Sequence, residues 1–136
     1  GPRGDGFDAV RAAAESTPGV HILPYVSDQA LQWLYGKAIA FVLLSHLEGF
    51  GIPAIEAPLA GLLPIISHDP ALVEATDGHA YMCDPYSVDE VAEVLRSVVE
   101  ITESEKSDRI KLLRSHAGNY NLDNFNRSWK QVLGFQ

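Results

Sequence analysis

The stretch AFVLLSHLEGFGIPAIEAPLAGLLPIIS, residues 40–67, decides how the rest of the chain is read. Ala40 to Leu44 is a continuous apolar run, the form taken by a strand buried on both faces of a parallel sheet. Pro53, at a first-turn position after Gly51, opens a helix running to about Ala60, and Gly61 closes it. Leu62 to Ser67 then repeats the apolar style of the first run. Strand, helix and strand in this order make a βαβ unit, with parallel strands and a right-handed crossover.

Downstream, His79 to Cys83 is another short apolar run. Upstream, Val20 to Leu23 is one more, closed by Pro24. Ser27 caps a helix whose first position is Asp28, with Leu31, Leu34 and Tyr35 spaced to face a core. The alternation predicts an α/β fold, a Rossmann-like parallel sheet with flanking helices. Ser87-Val88-Asp89-Glu90 and Thr102-Glu103-Ser104-Glu105 both have the form of a capping box, so a helix is expected to start at each. After Ser87, the residues Val88, Val91, Ala92, Leu95, Val98 and Val99 form one apolar face for the sheet. A closing helix from about Asn124 to Leu133 holds Phe125, Trp129 and Val132 in register, its rings as core or domain-contact residues. The opening differs: Gly1 to Gly6 is a loop with no strand before it, and Phe7 to Glu15 reads as a helix. A parallel α/β domain rarely begins this way. The expectation is one partial domain, residues 1–136, that lacks its first strands.

Composition bounds the function. The 136 residues, 46% hydrophobic, suffice for one core but not for two domains around a closed cleft. A formal charge of −8 would repel a polyanion, so nucleic acid is not an expected partner. The same balance is awkward for a diphosphate ligand unless backbone amides hold it or cations come from another segment. The single cysteine, Cys83, excludes an internal disulfide and points to a reducing, cytoplasmic compartment. No apolar run approaches the ~20 residues that span a bilayer, and Gly1 to Asp8 does not resemble a signal peptide. His46 reads as a loop-packing or solvent residue and His68 as turn chemistry, and no histidine cluster suggests a metal.

Glu48-Gly49-Phe50-Gly51-Ile52-Pro53-Ala54-Ile55-Glu56-Ala57 begins at the carboxyl end of a strand, the edge at which open parallel sheets bind ligands. Gly49 and Gly51 let a ligand approach the backbone, and the helix starting near Pro53 aims amides and partial positive charge at it. Glu48 suits sugar hydroxyls, since an ionised carboxylate accepts strong hydrogen bonds. Glu56, further along the helix, suits a ribose. The structural alternative has Glu48 capping the helix and Glu56 solvated on the surface, and the residues alone do not choose between the two. A hydrolase pair is a further alternative. A fully helical interval between the two carboxylates would span ~12 Å, against ~5 Å or ~6.5 to 9.5 Å in glycosidases, which weakens that reading without excluding it.

The same segment resembles the E-x7-E signature of the GT-B glycosyltransferases that include sucrose synthases, glycogen synthases and bacterial mannosyl- and glucosyltransferases. Glu48 and Glu56 match its two glutamates. The likeness extends in order through Val26-Ser27-Asp28, Leu31 and Leu34-Tyr35 before it. After it come Gly61, Pro64-Ile65-Ile66, Pro70, Glu74, Gly78 and Asp84-Pro85. It covers most of Val20 to Leu95. Leu44 and Leu63 depart from the family's pattern without disturbing the site.

The resemblance implies a C-terminal donor-binding domain of a retaining transferase. Glu48, the catalytic candidate, would contact donor-sugar hydroxyls, Gly49, Phe50, Gly51 and Ile52 the sugar and phosphate, and Glu56 the ribose. Tyr25 and Val26 would line the base. The donor would be a UDP-, GDP- or ADP-sugar, with no metal or other cofactor. In the family, basic residues that neutralise the diphosphate precede the loop resembled by Gly1-Pro2-Arg3-Gly4, and an N-terminal domain binds the acceptor. Both are absent from this sequence, so the isolated chain is expected to be inactive, with an open sheet edge available for self-association. The intact enzyme would be cytoplasmic, at the membrane face if its acceptor is there. Two other functions stay in view. One is a non-catalytic assembly or regulatory module on the same fold. The other is a dinucleotide-binding enzyme, which lacks its G-x-G-x-x-G signal here.

Overall fold

The computed structural model describes residues 6–133, with the side chain of Trp129 excepted. The loop read at Gly1-Pro2-Arg3-Gly4 and the register of the Trp129 ring lie outside the described residues. Ten elements follow one another: α1 (Phe7–Ser16), α2 (Asp28–Lys37), β1 (Ala40–Leu43), α3 (Ile52–Leu59), β2 (Leu63–Ile66), α4 (Pro70–Ala75), β3 (Tyr81–Met82), α5 (Val88–Glu100), α6 (Glu103–Ala117) and α7 (Leu122–Leu133). The chain divides into two compact units between Leu34 and Tyr35.

In the larger unit the three strands lie in the order β1-β2-β3, all parallel, with Phe41 beside Pro64 and Ile65 beside Tyr81. β2 is the central strand, and all four of its residues are buried. Leu63 and Ile65 join Val98, Ile110 and Leu113 in one core cluster, while Ile66 joins Ala54 and Leu72 in another. The alternation of side chains along a strand divides these residues between the two faces. Helices α5 and α6 supply one cluster, α3 and α4 the other. The result is the three-layer α/β arrangement expected from the alternation, a Rossmann-like parallel sheet with helices on both faces.

Several expectations need correction. Val20 to Leu23 is not a strand. These residues make no ladder among the described residues, the Val20 N–H bonds to the Thr17 carbonyl oxygen, and Val20, Ile22 and Leu23 are exposed. Apolar content alone cannot make a strand without a neighbour to complete its hydrogen bonds. The run His79 to Cys83 shortens to β3, because the His79 N–H closes the turn after α4 on the Thr76 carbonyl oxygen.

On α5 the core takes Val91, Val94 and Val98, whereas Val88, Leu95 and Val99 are exposed. The two apolar stripes run side by side on the helix, and the sheet covers only one. Of the two capping boxes, Thr102 is complete, with Glu105 returning the hydrogen bond, while Ser87 only accepts from the Glu90 N–H. Phe125 and Val132 of α7 stand exposed, so the core alternative for the Phe125 ring falls. Leu31 of α2 is also exposed. No helix among the described residues is long and apolar enough to cross a membrane.

Candidate functional site

Between β1 and α3 the chain turns through residues 44–51, at the carboxyl end of the sheet. Gly51 ends the turn with φ +80°, and a Cβ built there would stand 2.6 Å from Leu72 Cδ2. Only glycine meets both conditions, the left-handed backbone and the missing volume. Gly49 differs. Its φ is not positive and nothing lies within 4 Å of a Cβ placed on it. The fold makes no demand for glycine at this position. Pro53 lacks an N–H and the Ala54 N–H bonds to the Gly51 carbonyl oxygen at 2.9 Å. Any anion at the start of α3 therefore meets the amides of Gly51 and Ile52 first.

Glu48 is half-buried. Ser45 Oγ donates to its Oε1 at 2.7 Å, and its backbone N–H donates to Asp69 Oδ2 at 3.3 Å. The N-cap of α3 is Gly51, with no side-chain capping bond. The capping alternative for Glu48 is thereby overturned: the carboxylate turns to Ser45, three residues back, rather than to the helix. An ionised carboxylate accepts about four hydrogen bonds, so one bond from Ser45 fixes its direction and leaves most of its accepting capacity.

Glu56 projects from the middle of α3 and is exposed, which a ribose contact requires and a solvated surface residue also shows. Burial, with the Glu56 charge adding to it, holds the Tyr35 phenol above its ordinary pKa, so the two side chains are neighbours. Ile52 is exposed, and the half-exposed Phe50 ring meets Tyr120 edge to face at 5.3 Å. Burial also raises the Tyr120 phenol, with the charges of Glu74 and Asp77 contributing.

A cleft of about 270 Å³ opens beside this turn, lined by Ser45, His46, Ser67, Asp69 and Tyr86 among others. These residues follow the carboxyl ends of all three strands. His46 stacks on Tyr86, with ring centroids 4.4 Å apart, so it packs within the loops. A larger cleft of about 590 Å³ lies elsewhere, around Tyr81, Glu100, Asp108 and Arg109. Neither cleft is lined by a residue of the 48–56 segment; only the smaller one sits at the strand ends, and position there outweighs volume in locating a ligand site on such a sheet.

The structure therefore keeps Glu48, Gly49, Phe50, Gly51, Ile52 and Glu56 on one continuous turn and helix. Tyr25, 89% exposed, and the half-buried Val26 precede α2 in the other compact unit. Sequence reasoning missed Ser45, Ser67 and Asp69. Asp69-Pro70 carried a local signal, since aspartate before proline commonly starts a helix. Nothing in the sequence connects Asp69 with Glu48. Between Lys37 and Arg96 there is no lysine or arginine, so this part of the chain offers an anion backbone amides, hydroxyls and imidazoles but no fixed cation.

The family profile described as glycosyl transferases group 1 matches residues 3–111. The chain is 36% identical over 80 residues to the O-antigen chain mannosyltransferase B of Escherichia coli, covering 58% of this chain and 21% of that protein. It is 29% identical over 110 residues to the GDP-mannose:cellobiosyl-diphosphopolyprenol alpha-mannosyltransferase of Xanthomonas oryzae pv. oryzae, covering 79% of the chain and 27% of the relative. With the O-antigen chain mannosyltransferase RfbU of Salmonella typhimurium the identity is 30% over 115 residues, 85% of the chain and 30% of the relative. The chain thus spans between 21% and 30% of the length of these three curated relatives.

Proposed function

The chain belongs to the glycosyl transferases of group 1, and from that premise we propose that residues 1–136 form the donor-binding domain of a retaining, nucleotide-sugar-dependent transferase. The observation that carries the proposal is the Glu48 carboxylate, aimed by Ser45 at the carboxyl end of the sheet with accepting capacity to spare. Donor-sugar hydroxyls bond to Glu48, the diphosphate meets the amides from Gly49 to Ile52, and Glu56 takes the ribose. GDP-mannose is the donor to test first among UDP-, GDP- and ADP-sugars, because a relative's name carries it.

Catalysis in this reading rests on holding the donor in a reactive pose and stabilising the leaving diphosphate. No metal or other cofactor takes part. With no lysine or arginine between Lys37 and Arg96, the diphosphate requires cations from outside this segment. A second domain presents the acceptor, so the isolated chain turns nothing over. The working location is the cytoplasm, at the membrane face where the acceptor is lipid-linked. The sheet edge at β1 is available for pairing between copies, which light scattering of the purified chain tests: a strict monomer removes that element.

The same charge distribution supports a second reading, a non-catalytic assembly module that retains the fold. Glu48→Ala in a full-length transferase carrying this domain separates the two. The donor-site reading expects turnover to fall roughly 100-fold, the scale of losing one pre-organised polar group at a reacting centre. Turnover near the wild-type rate contradicts it.

A further inference from the structure

Asp69 lies 21 residues beyond Glu48 in sequence, yet it reaches back to the Glu48 backbone. It is buried, at 8% exposure, and its two carboxylate oxygens serve different elements. Oδ1 accepts from the N–H groups of Ala71 and Leu72, at 2.9 and 3.4 Å, which caps α4. Oδ2 accepts from the Glu48 N–H at 3.3 Å. Capping needs one oxygen only. The second joins the start of α4 to the turn that carries Glu48.

That bond is part of a closed ring. The Glu48 N–H donates to Asp69, Ser45 Oγ donates to the Glu48 carboxylate, Ser67 Oγ donates to the Ser45 carbonyl oxygen, and the Asp69 N–H donates to Ser67 Oγ. A cyclic set of bonds fixes each member against rotation, because no one group can move without straining two others. Further along the turn, Leu72 of the same short helix fills the volume next to Gly51. Helix α4 therefore touches the turn at Glu48 through a charge-assisted hydrogen bond and at Gly51 through packing.

We propose that Asp69 is a positioning residue for Glu48, and that α4 braces the whole Glu48–Gly51 turn for binding of the donor sugar. This rests on the donor-site reading above. Asp69 touches no substrate in it and acts through the orientation of Glu48. The aspartate is required in this role because asparagine retains only half of it. In Asp69→Asn the amide oxygen still caps α4, since asparagine is a good N-cap, while the NH2 group faces the Glu48 N–H, donor against donor.

The test uses Asp69→Asn and Ser45→Ala in the 136-residue chain, read by amide hydrogen exchange and by titration with GDP and with GDP-mannose. The expected result for Asp69→Asn is melting close to wild type, with exchange of the Glu48 amide faster by about tenfold, the value of one hydrogen bond. Its preference for GDP-mannose over GDP should fall by a similar factor. The loss must be confined to the sugar. Removing a negative charge favours diphosphate binding if it does anything, so weaker GDP-mannose with unchanged GDP is not a charge effect. Ser45→Ala should lower the same preference without changing the exchange of Ala71 and Leu72. Unchanged exchange at Glu48 in Asp69→Asn overturns the brace whatever the ligands do. If wild type binds neither nucleotide, the same titration in a full-length transferase carrying this domain decides the donor-site reading, and the exchange result alone decides the brace.

Discussion

Helix α3 has two ends built on opposite principles. Its N-terminal end follows a turn with two glycines, carries the oriented carboxylate of Glu48, and opens at the carboxyl edge of the sheet. Its C-terminal end is closed by the protein itself: Arg114 of α6 donates from Nε to the Pro58 carbonyl oxygen at 2.8 Å and from Nη2 to that of Leu59 at 3.2 Å. Helix ends leave four carbonyls or four amides without partners. Here a cation satisfies carbonyls at the negative end of the dipole, while the positive end is held in shape by Asp69 and Leu72 through contacts that leave donors for a ligand. One end of the helix is closed by an arginine, and the other is shaped by the turn that carries Glu48.

Substitutions at the two ends should separate stability from binding. The largest stability effect is expected for Gly51→Ala, which meets both a left-handed backbone and Leu72 Cδ2 at 2.6 Å. A loss of roughly 2 to 4 kcal/mol follows from strain plus overpacking, and chemical denaturation measures it. If Gly51→Ala melts like wild type, the turn is not braced as described. Arg114→Ala should come next, at about 1 kcal/mol, since a charge-assisted bond is worth more than this when buried but Arg114 is exposed. Nucleotide affinity should not change in that variant, and a change would show that the closed end also communicates with ligand.

Gly49→Ala sharpens the contrast from the other side. The fold has open space at this position, so stability should stay within about 1 kcal/mol of wild type. Donor affinity should nevertheless fall, because the space is then reserved for ligand. Equal affinity would remove Gly49 from the site.

The smallest effect is expected at the start of α6, the helix that supplies Arg114. The Thr102 hydroxyl, then its backbone N–H, holds the Glu105 carboxyl below its ordinary pKa, with a smaller contribution from Arg109. A depressed carboxylate stabilises the fold above the unfolded value of about 4.3, and the contribution disappears as pH falls through the lowered folded value. Carboxyl carbon shifts followed by NMR should show Glu105 titrating below the ordinary glutamate range in the wild type. A normal midpoint would mean that the capping box is open in solution.

How far the sequence revealed these features depended on whether each was local. The βαβ unit of residues 40–67 was legible because apolar runs, Pro53 and Gly61 are all short-range signals, and β2 is buried as its composition implies. Val20 to Leu23 has a similar composition and does not form a strand, because pairing depends on a neighbour and not on the run itself. On α5 the pattern contained two stripes, and only the position of the sheet chose between them. The glutamates and glycines of the proposed site form a local pattern in the sequence. The bonds that orient them were not, since Asp69 and Ser67 lie 21 and 22 residues from the groups they hold.

The central claim is that the turn and first half of α3 hold a nucleotide-sugar donor. Titration of the isotope-labelled chain with GDP-mannose, repeated on Glu56→Ala, tests it directly. The expected result is a set of amide shifts confined to residues 48–56, lost or strongly reduced in the variant. Shifts confined to the larger cleft around Arg109, or shifts at residues 48–56 that persist unchanged in Glu56→Ala, would contradict it.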